Sequence, residues 1–163
     1  ASRGGWIATL LATQKNNYIQ KIVLLSPAQT FEFIDQIGKT TSALMLKLFP
    51  STIKLKKTLK AFSTHPEKIN PVYKRQFYLA NKYAKSNSNM LQMMPFSNND
   101  LKKITNPVLV MVGDSDIINS EKSLERAQKN LVNSKTIIIK DAGHFLNIDQ
   151  SKVVNEAVLS FLD

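Results

Sequence analysis

A serine, two aspartates and a histidine in this chain occupy positions from which they could cooperate in acyl transfer. Ser2 stands directly before an apolar helical pattern. Asp114 and Asp116 share the turn "GDSD" behind one apolar run, and His144 follows a second such run in "KDAGHF". A serine hydroxyl is a weak nucleophile until a base removes its proton. An imidazole can take that proton and pass it to a leaving group, while a carboxylate beside the ring orients it and stabilises its cation. The chain order is Ser, Asp, His, so distant elements must bring the groups together.

Those elements are readable. Trp6, Ile7, Leu10 and Leu11 recur at helical spacing until "QKNN" ends the pattern. Residues 22–25 form an apolar run stopped by Ser26 and Pro27, as in a strand buried on both faces. Residues 28–103 contain no β-branched run. Their Leu, Met and Phe residues keep helical spacing between Pro50, Pro66, Pro71 and Pro95, which predicts an all-helical insertion with helices over 29–49, 51–62, 70–85 and 88–94. Strand and helix then alternate again. A strand over 108–112 is broken by Gly113, and a helix capped by Ser120 turns Leu124, Ala127 and Leu131 inward. A strand over 136–139 follows, and a last helix over 150–162 packs Val153, Val154, Ala157, Val158 and Phe161. Such alternation implies an α/β fold with a parallel sheet and ligand chemistry at the strands' C-terminal ends. Ser2, the two aspartates and His144 all fall in loops at that end.

Composition narrows the function. At 163 residues, 43% hydrophobic and 21% charged, the chain has the size and balance of one folded domain. No apolar run approaches the ~20 residues of a membrane span, and no signal-peptide pattern is present. The absence of cysteine excludes disulfides, zinc–thiolate sites and a thiol nucleophile, and fits a cytoplasmic protein. A net charge of +10 raises the question of nucleic acid. The lysines are scattered and not interleaved with aromatics, however, so they read as a basic surface. Two histidines far apart offer no metal cluster.

The stretches "SRGG", "VLVMVGDSDIINS" and "IIKDAGHFLNIDQSKVVNEAVLSFL" resemble the second half of an α/β-hydrolase. In that superfamily the nucleophile sits in a G-x-S-x-G elbow that opens a helix. "ASRG" matches its last four positions, with Ser2 at the centre and Gly4 closing the turn. "IVLLSPAQTF" and "NPVYKRQF" are further similar to the carboxylesterase-NP-like esterases. The resemblance implies a mostly parallel sheet with a helical cap: residues 1–27 and 104–163 in the C-terminal part of the core, and 28–103 as the cap. It makes Ser2 the nucleophile, His144 the base and Asp116 the acid, leaving Asp114 to support the turn. The backbone N–H of Arg3 becomes one donor of the oxyanion hole. The implied activity is that of a serine hydrolase, a carboxylesterase that cleaves small to medium esters through an acyl-enzyme and needs no cofactor. Lactone, thioester, amide or lipid substrates for the same triad stay open, as does a non-catalytic binding module. Because the superfamily builds its first strands and its second oxyanion donor ahead of the nucleophile, an upstream segment or companion chain is expected to complete the sheet.

Other residues read more plainly. Asp141 and Asp149 flank the histidine loop and shape it. His65, in "STHPEK", reads as part of a solvated turn. Met90, Met93, Met94 and Phe96 pack cap against core, with an adaptable substrate pocket as the alternative. The basic amphipathic stretch "LMLKLFPSTIKLKKTLKAF" reads as cap helices with a lysine-bearing outer face, rather than as a membrane-surface segment.

Overall fold

Apolar runs too short for helices become strands here, and their alternation sorts the core into two halves. The computed structural model describes residues 1–14, 18–34, 37–85 and 93–163. Among them β1 (Ile22–Leu25), β2 (Val108–Gly113) and β3 (Ser134–Ile139) form a parallel sheet in the order β1-β2-β3. Ile22 stands opposite Val108, which stands opposite Ser134. The central strand β2 is buried along its whole length. Successive side chains point to opposite faces of a sheet, so Val108, Val110 and Val112 join one apolar cluster while Leu109 and Met111 join the other.

Helices cover both faces. On the valine side, α1 (Ser2–Thr13) contributes Ala12, Trp6, Ala8 and Leu10, and α6 (Glu121–Asn130) contributes Leu124 and Ala127, followed by Leu131. The opposite face receives Leu146 of α7 (Leu146–Asp149) and Val154 of α8 (Ser151–Leu162), flanked by Ala157, Val158 and Phe161. Val153 faces solvent, contrary to the sequence reading, because the buried stripe of α8 runs through its neighbour Val154.

The insertion contains α2 (Ile37–Leu48), α3 (Thr52–Phe62), α4 (Pro71–Tyr83) and the short α5 (Asn98–Lys102). Helix α3 starts at Ser51, whose hydroxyl accepts the Lys54 N–H, and α4 starts at Asn70 with Pro71 in its first turn. The expected helix over 29–49 is shorter than its spacing implied. Residues 28–34 form turns and bends, with Gln29 at a φ of +49°, and α2 begins only at Ile37. Of the helix expected over 88–94, residues 88–92 lie outside the described residues, and Met93 and Met94 are not helical. Met93 and Phe96 are buried, Phe96 beside Trp6 with ring centroids 5.2 Å apart, and the Met94 carbonyl accepts the Trp6 indole N–H. Arg126 ties the two ends of the insertion together by donating to the carbonyls of Phe31 and Phe96.

Along α2 and α3, Leu44, Met45, Leu48, Phe49 and Ile53 are exposed. No helix of the described residues is long and apolar enough to cross a membrane.

Two glycines make the close approaches on which this packing depends. A Cβ at Gly5 would lie 2.7 Å from Cβ of Pro27, so α1 can rest on the loop behind β1 only through a bare backbone. Gly4, which closes the elbow pattern in the sequence, would carry a Cβ with nothing within 4 Å. At Gly113 the clash is with backbone: a Cβ would come 2.2 Å from the Ala142 carbonyl oxygen. Gly113→Ala should therefore lower stability by about 1–3 kcal/mol, since neither backbone can retreat freely. Gly38→Ala, placed in open space in the first turn of α2, should change stability by less than about 1 kcal/mol. Thermal melts of the two variants test the contrast.

Candidate active site

Ser2 occupies the first position of α1 with a φ of +48°. That left-handed conformation is costly for a residue with a side chain, by roughly 1–3 kcal/mol, and survives only where surroundings enforce it. Here the enforcement comes from the β1 side. Gly5 lies against Pro27, and the Ser2 carbonyl accepts the Ala28 N–H at 3.2 Å. The hydroxyl is thereby aimed across the C-terminal end of the sheet. Arg3 is the next residue of the helix, and its N–H belongs to the first-turn donors that have no acceptor within the helix.

The carboxylate beside the imidazole comes from the turn behind β2. Asp116, whose side chain is fully buried, accepts the Ile118 N–H at 2.8 Å and the Asn119 side-chain amide at 3.0 Å. Its remaining contact is with His144 Nδ1, at 3.0 Å to one carboxylate oxygen and 3.3 Å to the other. Burial pushes this carboxyl up, but the His144 hydrogen bond and charge, with the Ile118 and Asn119 donors, outweigh it and hold Asp116 below the usual carboxylate range. An ionised carboxylate can only accept, so Nδ1 carries the imidazole proton. In the neutral ring Nε2 is then an acceptor, and the Ser2 hydroxyl donates to it at 2.8 Å. The order Ser2–His144–Asp116 is thus closed by hydrogen bonds.

Asp114 serves the turn instead. It accepts the Ala142 N–H at 3.3 Å and has Lys140 Nζ 3.9 Å away. The imidazole itself is 3% exposed, with the Phe62 ring edge-on to it at 5.4 Å and 82°, and Phe145 at 6.1 Å. Tyr73 and Phe77 of α4 extend this aromatic cluster through Phe145. The helical insertion therefore reaches the histidine directly.

Sequence reasoning missed two contributors. Phe62 was invisible because its partner, His144, is distant in the chain. Asn119 carried a local signal, an amide three residues beyond the Asp116 carboxylate to which it donates. His65 is more engaged than a solvated turn residue would be. Its Nε2 lies 2.6 Å from an Asp141 oxygen and its Nδ1 lies 3.1 Å from Glu67. The Asp141 hydrogen bond raises its pKa, outweighing a smaller desolvation effect, with Glu67 helping.

No group of three or more His, Asp or Glu among the described residues is placed to hold a metal ion. A cavity of about 450 Å³ opens between α3 and α4, lined by apolar Leu55, Leu59 and Pro66 and by charged groups that include Lys56, Lys60 and Glu67. None of Ser2, Asp116 and His144 lines it.

The family described as serine aminopeptidase, S33 matches residues 1–151. Carboxylesterase YbfK of Bacillus subtilis is 38% identical over 68 residues, which cover 41% of this chain and 23% of that protein. Among solved structures, naproxen esterase (carboxylesterase NP) from Bacillus subtilis superposes with a TM-score of 0.87 at 25% identity, over 99% of this chain and 57% of that one. Carboxylesterase CesB (YbfK) from Bacillus subtilis gives 0.81 at 24%, again over 99% and 57%. The chain thus spans little more than half the length of the structures it matches.

The two titrating clusters predict opposite pH dependences. Asp116 has a depressed folded value, so its stabilising effect is complete above the unfolded carboxylate pKa of about 4 and disappears as pH falls through the folded value. The difference in melting temperature between the parent and Asp116→Asn should shrink over that acid window. His65 has a raised folded value, so its contribution is complete below about pH 6.5 and is lost as pH rises through the folded value. The melting difference for His65→Gln should shrink on that alkaline side.

Proposed function

Because the chain belongs to the serine aminopeptidase, S33 family and has the α/β-hydrolase fold, we propose that it carries the Ser–His–Asp triad of a serine hydrolase acting on carboxylic esters of small to medium size. One observation carries this reading: the 2.8 Å contact from a strained Ser2 to an imidazole whose other nitrogen is held by buried Asp116. The choice of esters draws on the carboxylesterases that this chain is similar to.

Ser2 Oγ attacks the ester carbonyl carbon as its proton passes to His144 Nε2. The imidazolium that forms is stabilised by ionised Asp116, which is why a buried carboxylate with its own fixed donors suits the role. Negative charge on the tetrahedral oxygen is met by the Arg3 N–H, at the positive end of α1. Collapse of the intermediate breaks the ester bond, and the alcohol leaves with the proton from His144. Water then attacks the acyl-enzyme, with His144 as base, and releases the acid and free Ser2. In this reading residues 28–103 act as the cap, and Phe62 is its point of contact with the histidine.

Fluorophosphonate labelling of the full-length protein tests the assignment, together with turnover of a short p-nitrophenyl ester. The parent should label at Ser2. Ser2→Ala and His144→Ala should each lose turnover by about 10⁴-fold or more. Full turnover in both variants, or a folded parent that does not label, overturns it.

A further inference from the structure

The residues on both sides of His144 donate their N–H groups to acceptors at the end of α3 or bound to the turn behind it. On one side, the Gly143 N–H donates to Asp149 Oδ2 at 2.8 Å. On the other, the Phe145 N–H donates to the Phe62 carbonyl at 3.0 Å. Asp149 is 2% exposed and collects more than this one donor. The Thr64 N–H reaches Oδ2 at 3.1 Å, the His65 N–H reaches Oδ1 at 3.3 Å, and the Ser63 hydroxyl donates to Oδ1 as well. The same carboxylate therefore binds the residue just before His144 and three successive residues of the turn behind α3. Gly143 is pressed against that turn too: a Cβ there would lie 2.6 Å from the Phe62 carbonyl oxygen.

We propose that Asp149 is a positioning residue for His144, locking the histidine loop to the α3–α4 turn so that Nε2 faces Ser2 Oγ. The inference rests on the triad proposed above. Four donors converge on one carboxylate, which has about four lone-pair sites to offer. An amide of the same shape has a single acceptor oxygen and would turn its own N–H₂ against the donors on the other side. Without the carboxylate, the Gly143 peptide can rotate. The imidazole, carried by the next residue, would then swing away from Ser2. The lock also means that the insertion cannot lift at its α3–α4 end without disturbing His144.

A positioning role and a merely structural one separate in the kinetics. Asp149→Asn in the full-length protein should lower kcat roughly ten- to a hundredfold, as small misplacements of a reacting group do. KM should stay within about threefold, and the rate of fluorophosphonate labelling should fall in step with kcat. Ser63→Ala, which removes one donor and keeps the carboxylate, should lose kcat to a smaller degree, and Ser63→Thr should restore it. A lower melting temperature with kcat unchanged in both Asp149→Asn and Ser63→Ala overturns the proposal, as does a change confined to KM. Ser2→Ala run alongside separates the two readings. Turnover surviving in it removes the triad, whereas an inactive Ser2→Ala with Asp149→Asn at full kcat removes only the positioning role.

Discussion

Only backbone without a Cβ fits where the loop carrying His144 meets its neighbours. On the sheet side the end of β2 closes on it at Gly113, and on the helical side Gly143 closes on the last carbonyl of α3. Neither glycine has a positive φ, so the demand is steric and not conformational. Close approach is what allows the hydrogen bonds. The Ser115 N–H reaches the Ala142 carbonyl, the Ala142 N–H reaches Asp114, and the Phe145 N–H reaches the Phe62 carbonyl. With its backbone held from both sides, the loop presents one imidazole orientation, and the 2.8 Å contact to Ser2 follows from that.

The serine side is built on the same plan with different means. Ser2 cannot reach its left-handed backbone conformation cheaply, and the helix behind it would relax if nothing opposed it. Opposition comes from the loop after β1, where Pro27 meets Gly5 and Ala28 donates to the Ser2 carbonyl. That loop is itself tied to β2 by the Ser26 N–H on the Met111 carbonyl. Ser2 and Asp116 are therefore both referred to one strand, β2, which is buried along its whole length.

This division explains what the sequence could convey. Apolar runs and breakers are local, so the strand over 22–25, Gly113 at the end of β2 and the order Ser2, Asp116, His144 could be read directly. Elements whose limits depend on tertiary contacts could not. The helix expected over 29–49 failed at its start because Phe31 and Thr30 are drawn into the core and to Phe96, which overrides helical spacing. Val153 and Val154 are chemically alike, and only packing against the sheet decides which one faces inward. The sequence reading makes Gly4 the glycine that closes the elbow, yet the space at Gly4 is open and the close approach falls at Gly5, against Pro27, a contact that local sequence does not show.

Asp149 and His65 show the limit most sharply, because their roles consist of bonds to residues far away in the chain. Nothing local distinguishes Asp149 from Asp141, yet one is buried among four donors and the other is exposed beside His65. The difference lies in geometry: α7 turns Asp149 back under its own loop, while Asp141, at a φ of +52°, turns its side chain outward. Together the two aspartates bind consecutive residues of a single turn, Asp149 from the protected side and Asp141 from the solvent side. An ionic link at the rim can loosen with pH, but the buried carboxylate cannot exchange its donors for water without opening the loop. The histidine loop and the turn behind α3 are therefore held together through the Asp149 carboxylate, which neither can leave without exposing unpaired donors.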